Sequence, residues 1–170
     1  LSSSNNLVQG NFIGVDITGQ KPPLPLSSSG AGIDVLASGN VIGGTTPSSR
    51  NVISGNQGDG IQVGSFSAIL NKVIIQGNYI GTDAGGTLAV SNRNNGISVL
   101  VNVTNCLIGG TNAGAGNVVS ANGENGIWLG GFGPVSGVEV IGNRIGFTAD
   151  LRPPAPSAPS LKNCCPLPQT

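Results

Sequence analysis

The stretch RNVISGNQGDGIQV at 50–63 returns as GNVVSANGENGIWL at 116–129. Asn51, Ser54, Asn56, Gly60 and Ile61 fall on Asn117, Ser120, Asn122, Gly126 and Ile127, 66 residues on. Other phrases keep the same beat. NVIGGT (40–45) recurs as CLIGGT (106–111). QGNFIGVD (9–16), QGNYIGTD (76–83) and IGNRIGFT (141–148) follow at spacings of 67 and 65. A chain that repeats at a fixed period stacks copies of one unit, because a single unit cannot bury its own apolar face. The phrases GIDV (32–35), GIQV (60–63), GISV (96–99) and GIWL (126–129) divide the period further, so 66 residues make a pair of coils.

Within a coil the strand signals are short, β-branched and ended by Gly or Asn. Coil two offers GIQV, then KVIIQG (72–77), then NYIG (78–81). No window carries the i, i+3, i+4, i+7 stripe of a helix, and the recurring Gly would cost a helix interior about 1 kcal/mol each. Hairpins would give antiparallel alternation across paired turns. Here the strand types recur in one order, which predicts an all-β, parallel solenoid with three faces and about four to five coils.

Alternation within each GI strand then sorts side chains into columns. Ile33/Val35, Ile61/Val63, Ile97/Val99 and Ile127/Leu129 are expected to stack inward at about 4.8 Å per coil. Asp34, Gln62, Ser98 and Trp128 form the outward column. Asn51, Asn117 and the set Asn11, Asn78 and Asn143 are read as turn residues that ladder amide to amide. Asn40 matches Cys106, which would interrupt another such ladder.

Residues 1–150 read as one parallel β-helix domain. Residues 151–170 hold six of the eleven Pro and no Gly, and read as a linker, a cap or a tail. Insertions at 15–29 and 82–94 leave just before GI strands and are expected beside that face. Solenoid ends expose unpaired strand edges, and neither end here offers a helical cap. A fragment of a longer array, or end-to-end self-association, is therefore expected. No signal peptide is visible ahead of Leu1, so a mature or excised product is expected.

Composition removes several functions. Charged residues are 8% of the chain and cancel, so there is no basic stripe for nucleic acid or a membrane surface. No apolar run reaches the ~18 residues of a membrane span. Three Cys, two of them adjacent (Cys164 and Cys165), make no disulfide framework. With no His there is no zinc pattern and no usual Ser/His/Asp triad. No cofactor is expected.

The GIxV…NVIxGNxI wording resembles the right-handed parallel β-helix repeat proteins, the NosD-like and pectate-lyase-like solenoids of bacterial secreted or surface proteins. The likeness covers roughly residues 6 to 150. It implies the fold and an extracellular or cell-surface location. It says little of activity, since lyases, hydrolases, adhesins and stalks share that fold. The leading reading is a non-catalytic spacer or adhesive module that contacts glycan or cell-wall polysaccharide through Trp128, Ser98, Gln62 and Asp34. Phe66, Phe132 and Tyr79 add apolar surface. The alternative is a carbohydrate-active or ester hydrolase, which needs paired carboxylates. Asp34 and Asp59 are the pair, with Asp16 joining from its loop, although the resemblance would also imply an Asp-Asp pair beside a His that this chain lacks. Asp16 and Asp83 share the IGxD position. They read as loop caps that accept backbone N–H bonds, with weak calcium binding as the rival.

Overall fold

The computed structural model describes residues 1–20 and 30–152. The KPPLPLSSS stretch, the Pro-rich residues from 153 onward and Cys164 and Cys165 lie outside the described residues. Within them the chain is all-β. The one helical turn is a 3-10 segment at Pro47–Ser49. No helix among the described residues is long and apolar enough to cross a membrane.

Seventeen short strands assemble into four sheets, every pairing between them parallel. Sheet 1 holds the GI strands β3 (Ile33–Val35), β6 (Ile61–Gly64), β10 (Ile97–Val101) and β14 (Ile127–Leu129). Sheet 2 holds β7 (Leu70–Asn71), β11 (Val103–Thr104) and β15 (Val135–Ser136). Sheet 3 holds β1 (Leu7–Val8), β4 (Val41–Gly43), β8 (Ile74–Gln76), β12 (Leu107–Gly109) and β16 (Glu139–Ile141). Sheet 4 holds β2 (Phe12–Ile13), β5 (Val52–Ile53), β9 (Tyr79–Ile80), β13 (Val118–Val119) and β17 (Arg144–Ile145). From β6 onward the chain visits sheets 1, 2, 3 and 4 in turn and then returns to sheet 1, whereas the first turn passes from β3 directly to β4. Each strand lies beside its counterpart one coil on. This is compatible with a β-helix-like solenoid. It has four sheets, not the three faces expected. The extra one is built of two-residue strands, too short to declare themselves by alternation.

The inward columns form as the GI phrases predict. Ile33 pairs with Ile61, Ile61 with Ile97 and Ile97 with Ile127. Val35, Val63, Val99, Ile42, Ile53, Ile75, Ile80 and Ile108 are fully buried in one core. Each such side chain stabilises the fold by about 1.5–3 kcal/mol relative to exposure. In the last coil the same columns open, and Leu129 is 44% exposed.

Ladders of amides, buried in their middle rungs, run beside this core. Asn11, Asn51, Asn78, Asn117 and Asn143 form one ladder. Each Nδ2 donates to the next Oδ1, at 3.0, 2.9, 3.0 and 2.8 Å. Asn56, Asn92 and Asn122 form a second, at 2.8 and 2.9 Å. The Asn6–Asn40 ladder stops where Val73 and Cys106 take the position, both buried. Burial pushes the Cys106 thiol up to about 12.

The 66-residue beat has a steric origin. A single coil is about 4.8 Å high, too thin for a loop at every level, whereas two coils give about 10 Å. Loops that follow the IG corners therefore occur on alternate coils and stack on each other. Ala84 N–H donates to Gly19 O at 2.8 Å, and Ala149 N–H to Gly86 O at 2.8 Å. The described parts of the two insertions, 15–20 and 82–94, pack away from the GI face, beside which they were expected. They fold over the outside of sheet 4, where Val15 and Val90 pack with Val52, Tyr79 and Ala84. The corner itself demands glycine. Gly81 has φ +86, and a Cβ there would lie 2.1 Å from Ser120 O.

Candidate functional site

Sheet 1 carries its outward residues in strict register. Asp34 pairs with Gln62, Gln62 with Ser98, and Ser98 with Trp128. The column crosses four strands, a span of about 14 Å. Asp34 is exposed and Gln62 and Trp128 are half-buried, whereas Ser98 is fully buried and, contrary to expectation, does not offer its hydroxyl to a ligand. Among the described residues the Asp34 carboxylate has no side-chain partner, and the Ser98 Oγ has no hydrogen bond.

Two loops leave this sheet on alternate coils, at 65–69 and 130–134. They bring Phe66 and Phe132 together, ring centroids 6.2 Å apart and tilted by 43°. The phenyls are 76% and 74% exposed. Both loops are fastened to the coil between them. Phe132 N–H donates to Leu100 O at 3.3 Å, and Asn102 Nδ2 donates to Ser65 O at 3.0 Å. The Ser65 and Ser67 hydroxyls bond at 2.9 Å and tighten the first loop. Gly131 lies against the far edge of the Trp128 ring, where a Cβ would come within 3.2 Å of Cη2. The phenyl pair therefore adjoins the outward column. Its sequence signal is the spacing: Phe66 and Phe132 stand 66 residues apart, on the repeat itself.

Tyr79 does not join them. It faces outward from sheet 4 under Arg50, whose guanidinium carbon sits 4.0 Å from the ring centroid. The Arg50 Nε also donates to Gly77 O at 3.2 Å. The pair is a cation–π contact that seals the coil corner.

The acidic residues are dispersed. Asp59 stands opposite Ala31, three positions upstream of the Asp34 level on the neighbouring strand, or about 10 Å along the sheet. It is only 8% exposed, and its Oδ1 accepts from Asn95 N–H at 2.9 Å and Asn95 Nδ2 at 3.0 Å. Asn95 in turn accepts from Asn125 at 2.9 Å, so Asp59 heads a third ladder. The Asp16 Oδ1 accepts from the Thr18 N–H and hydroxyl and from Gln20 N–H. Asp83 Oδ1 accepts from Thr87 N–H at 2.7 Å and Leu88 N–H at 2.9 Å. Both carboxylates tie down the loops they open. Among the described residues no group of three His, Cys, Asp or Glu is gathered to hold a metal ion.

Set against known protein families, curated proteins and solved structures, the chain matches none of them.

Proposed function

We propose that the chain is a right-handed parallel β-helix of the NosD-like or pectate-lyase-like kind, serving as a non-catalytic repeat module of a secreted or cell-surface protein. Its task on this reading is to space and to adhere, with glycan contacted along the outer face of sheet 1. The observation that carries the reading is the row of accessible outward residues Asp34, Gln62 and Trp128 with the exposed phenyl pair beside it. Hydrogen-bonding groups next to aromatic faces suit a polyhydroxylated ligand with apolar ring faces. The test is a glycan array probed with wild type and Trp128→Ala. Binding that falls with the variant supports the reading, and no binding to any glycan overturns it.

The same reading includes end-to-end association of coils. It is supported by the apolar side chains left open on the last strands, Val140, Ile141 and Ile145. Sedimentation across a concentration series tests it, with a constant monomer mass as the contrary result.

One observation favours hydrolysis as a second reading: the Asp34 carboxylate is exposed and unpaired among the described residues. Paired-carboxylate chemistry would require Asp59 or Asp16 to leave its hydrogen bonds. Chromogenic glycosides and esters test this, with turnover lost in Asp34→Ala as the supporting result.

A further inference from the structure

The electrostatics of the sheet 1 face narrow the ligand. Among the described residues, no Lys or Arg lies on β3, β6, β10 or β14, or on the loops 65–69 and 130–134. The described Lys and Arg are elsewhere: Arg50 over Tyr79, Lys72 after β7, Arg93 before β10, Arg144 on β17 and Arg152 beyond it. The strands and loops of this face carry one acidic side chain, Asp34, and it is exposed. A polyanion laid here would meet the Asp34 carboxylate and no Lys or Arg; the one cation at that edge, the Leu1 ammonium, is already engaged with Asp34 O. The polyanion's charge would be partly desolvated without a partner, which is costly.

Exposed aromatic rings add the second constraint. Phe66 and Phe132 are each about three-quarters exposed, yet their loops are fixed by hydrogen bonds to Leu100 and Asn102. Such rings lose little entropy on binding, and pre-ordered aromatic anchors carry much of an interface's affinity. The polar column beside them supplies a carboxylate and an amide for hydroxyl groups.

Resting on the glycan-binding reading above, we infer that Phe66 and Phe132 are the stacking anchors for an uncharged polysaccharide. Its chain lies across the strands of sheet 1, with hydroxyls toward Asp34 and Gln62 and the Trp128 ring at the far end. Uronate polymers are disfavoured by the Asp34 carboxylate on the same face.

The experiment is affinity electrophoresis of the folded chain in gels containing cellulose-, xylan-, mannan- or laminarin-type polysaccharide, or polygalacturonate. The variants are Phe66→Ala/Phe132→Ala, Phe66→Tyr/Phe132→Tyr and Trp128→Ala, each checked for unchanged circular dichroism. The expected result is retardation by a neutral polysaccharide and none by polygalacturonate. The double alanine variant binds at least about tenfold more weakly, and the double tyrosine variant keeps its affinity. Preference for polygalacturonate overturns the inference and leaves the glycan-binding reading intact. Neutral binding unchanged by the double alanine variant but lost in Trp128→Ala does the same. Retardation by nothing overturns both. A phenyl-dependent dimer in sedimentation, without polysaccharide binding, assigns the patch to a second copy and also overturns both.

Discussion

Asn51 Nδ2 donates to Asn78 Oδ1 at 2.9 Å, although the two belong to different phrases, RNVISGN and QGNYIGTD. The alternating phrases are therefore successive rungs of one structure. The rungs share an inward Ile or Val and a ladder Asn, and differ in what leaves the corner. Asn78 is the middle rung. It also donates to Ile42 O at 2.9 Å and is fully buried. Asn78→Ala would orphan donors and acceptors on both neighbours. It should cost about 2–4 kcal/mol in urea unfolding, whereas Asn143→Ala, on the half-open last rung, should cost about 1 kcal/mol. Equal costs would mean that the ladder contributes no cooperative stability.

Cys106 sets an alkaline limit. Its thiol is held at about 12 against an ordinary 9.0 because burial disfavours the thiolate. The unfolded chain releases this proton as pH rises past about 9, while the folded chain keeps it to about 12. The stabilisation is therefore complete below 9 and falls by about 1.4 kcal/mol per pH unit above it. Cys106→Val should remove that slope between pH 9 and 11 in chemical denaturation. An unchanged slope would assign it to other groups.

Asp34 and Asp59 should separate in stability. Asp59→Ala leaves the Asn95 N–H and side-chain amide without their acceptor and should destabilise by about 1–3 kcal/mol. Asp34→Ala, exposed and unpaired among the described residues, should stay within about 0.5 kcal/mol. The reverse order would mean that the ladder role of Asp59 is mistaken.

Much of this was legible in the sequence, and the reason is periodicity. Stacked coils place like residues over like, so Ile61 over Ile97 and Ser98 over Trp128 follow from phrase alignment alone. Sheet 2 was not legible, because Leu70–Asn71 and Val103–Thr104 are too short to show alternation. Nor was the course of the corner loops. That depends on Val90 and Val15 finding Val52 and Tyr79 across coils, a choice made by packing. The loop-capping Asp16 and Asp83 were legible from their shared IGxD position, whereas the place of Asp59 at the head of a ladder shows only in its hydrogen bonds to Asn95.

Gly81 tests the corner. Its φ of +86 and the 2.1 Å approach of Ser120 O to a built Cβ leave no room for a side chain. Gly81→Ala should cost about 1–3 kcal/mol or more, with the deficit visible as a lower urea midpoint. Gly30→Ala would meet no described atom within 4 Å and should be nearly neutral. If both are neutral, the corner is more plastic than its geometry implies.

The most direct measurement follows retention and cleavage of a neutral polysaccharide on the same sample, with wild type, Asp34→Ala and Trp128→Ala side by side. A non-catalytic adhesive module predicts retention by wild type, no new reducing ends over long incubation, and weakened retention in Trp128→Ala. Reducing ends that accumulate with wild type and vanish with Asp34→Ala would contradict it and make sheet 1 the face of a hydrolase.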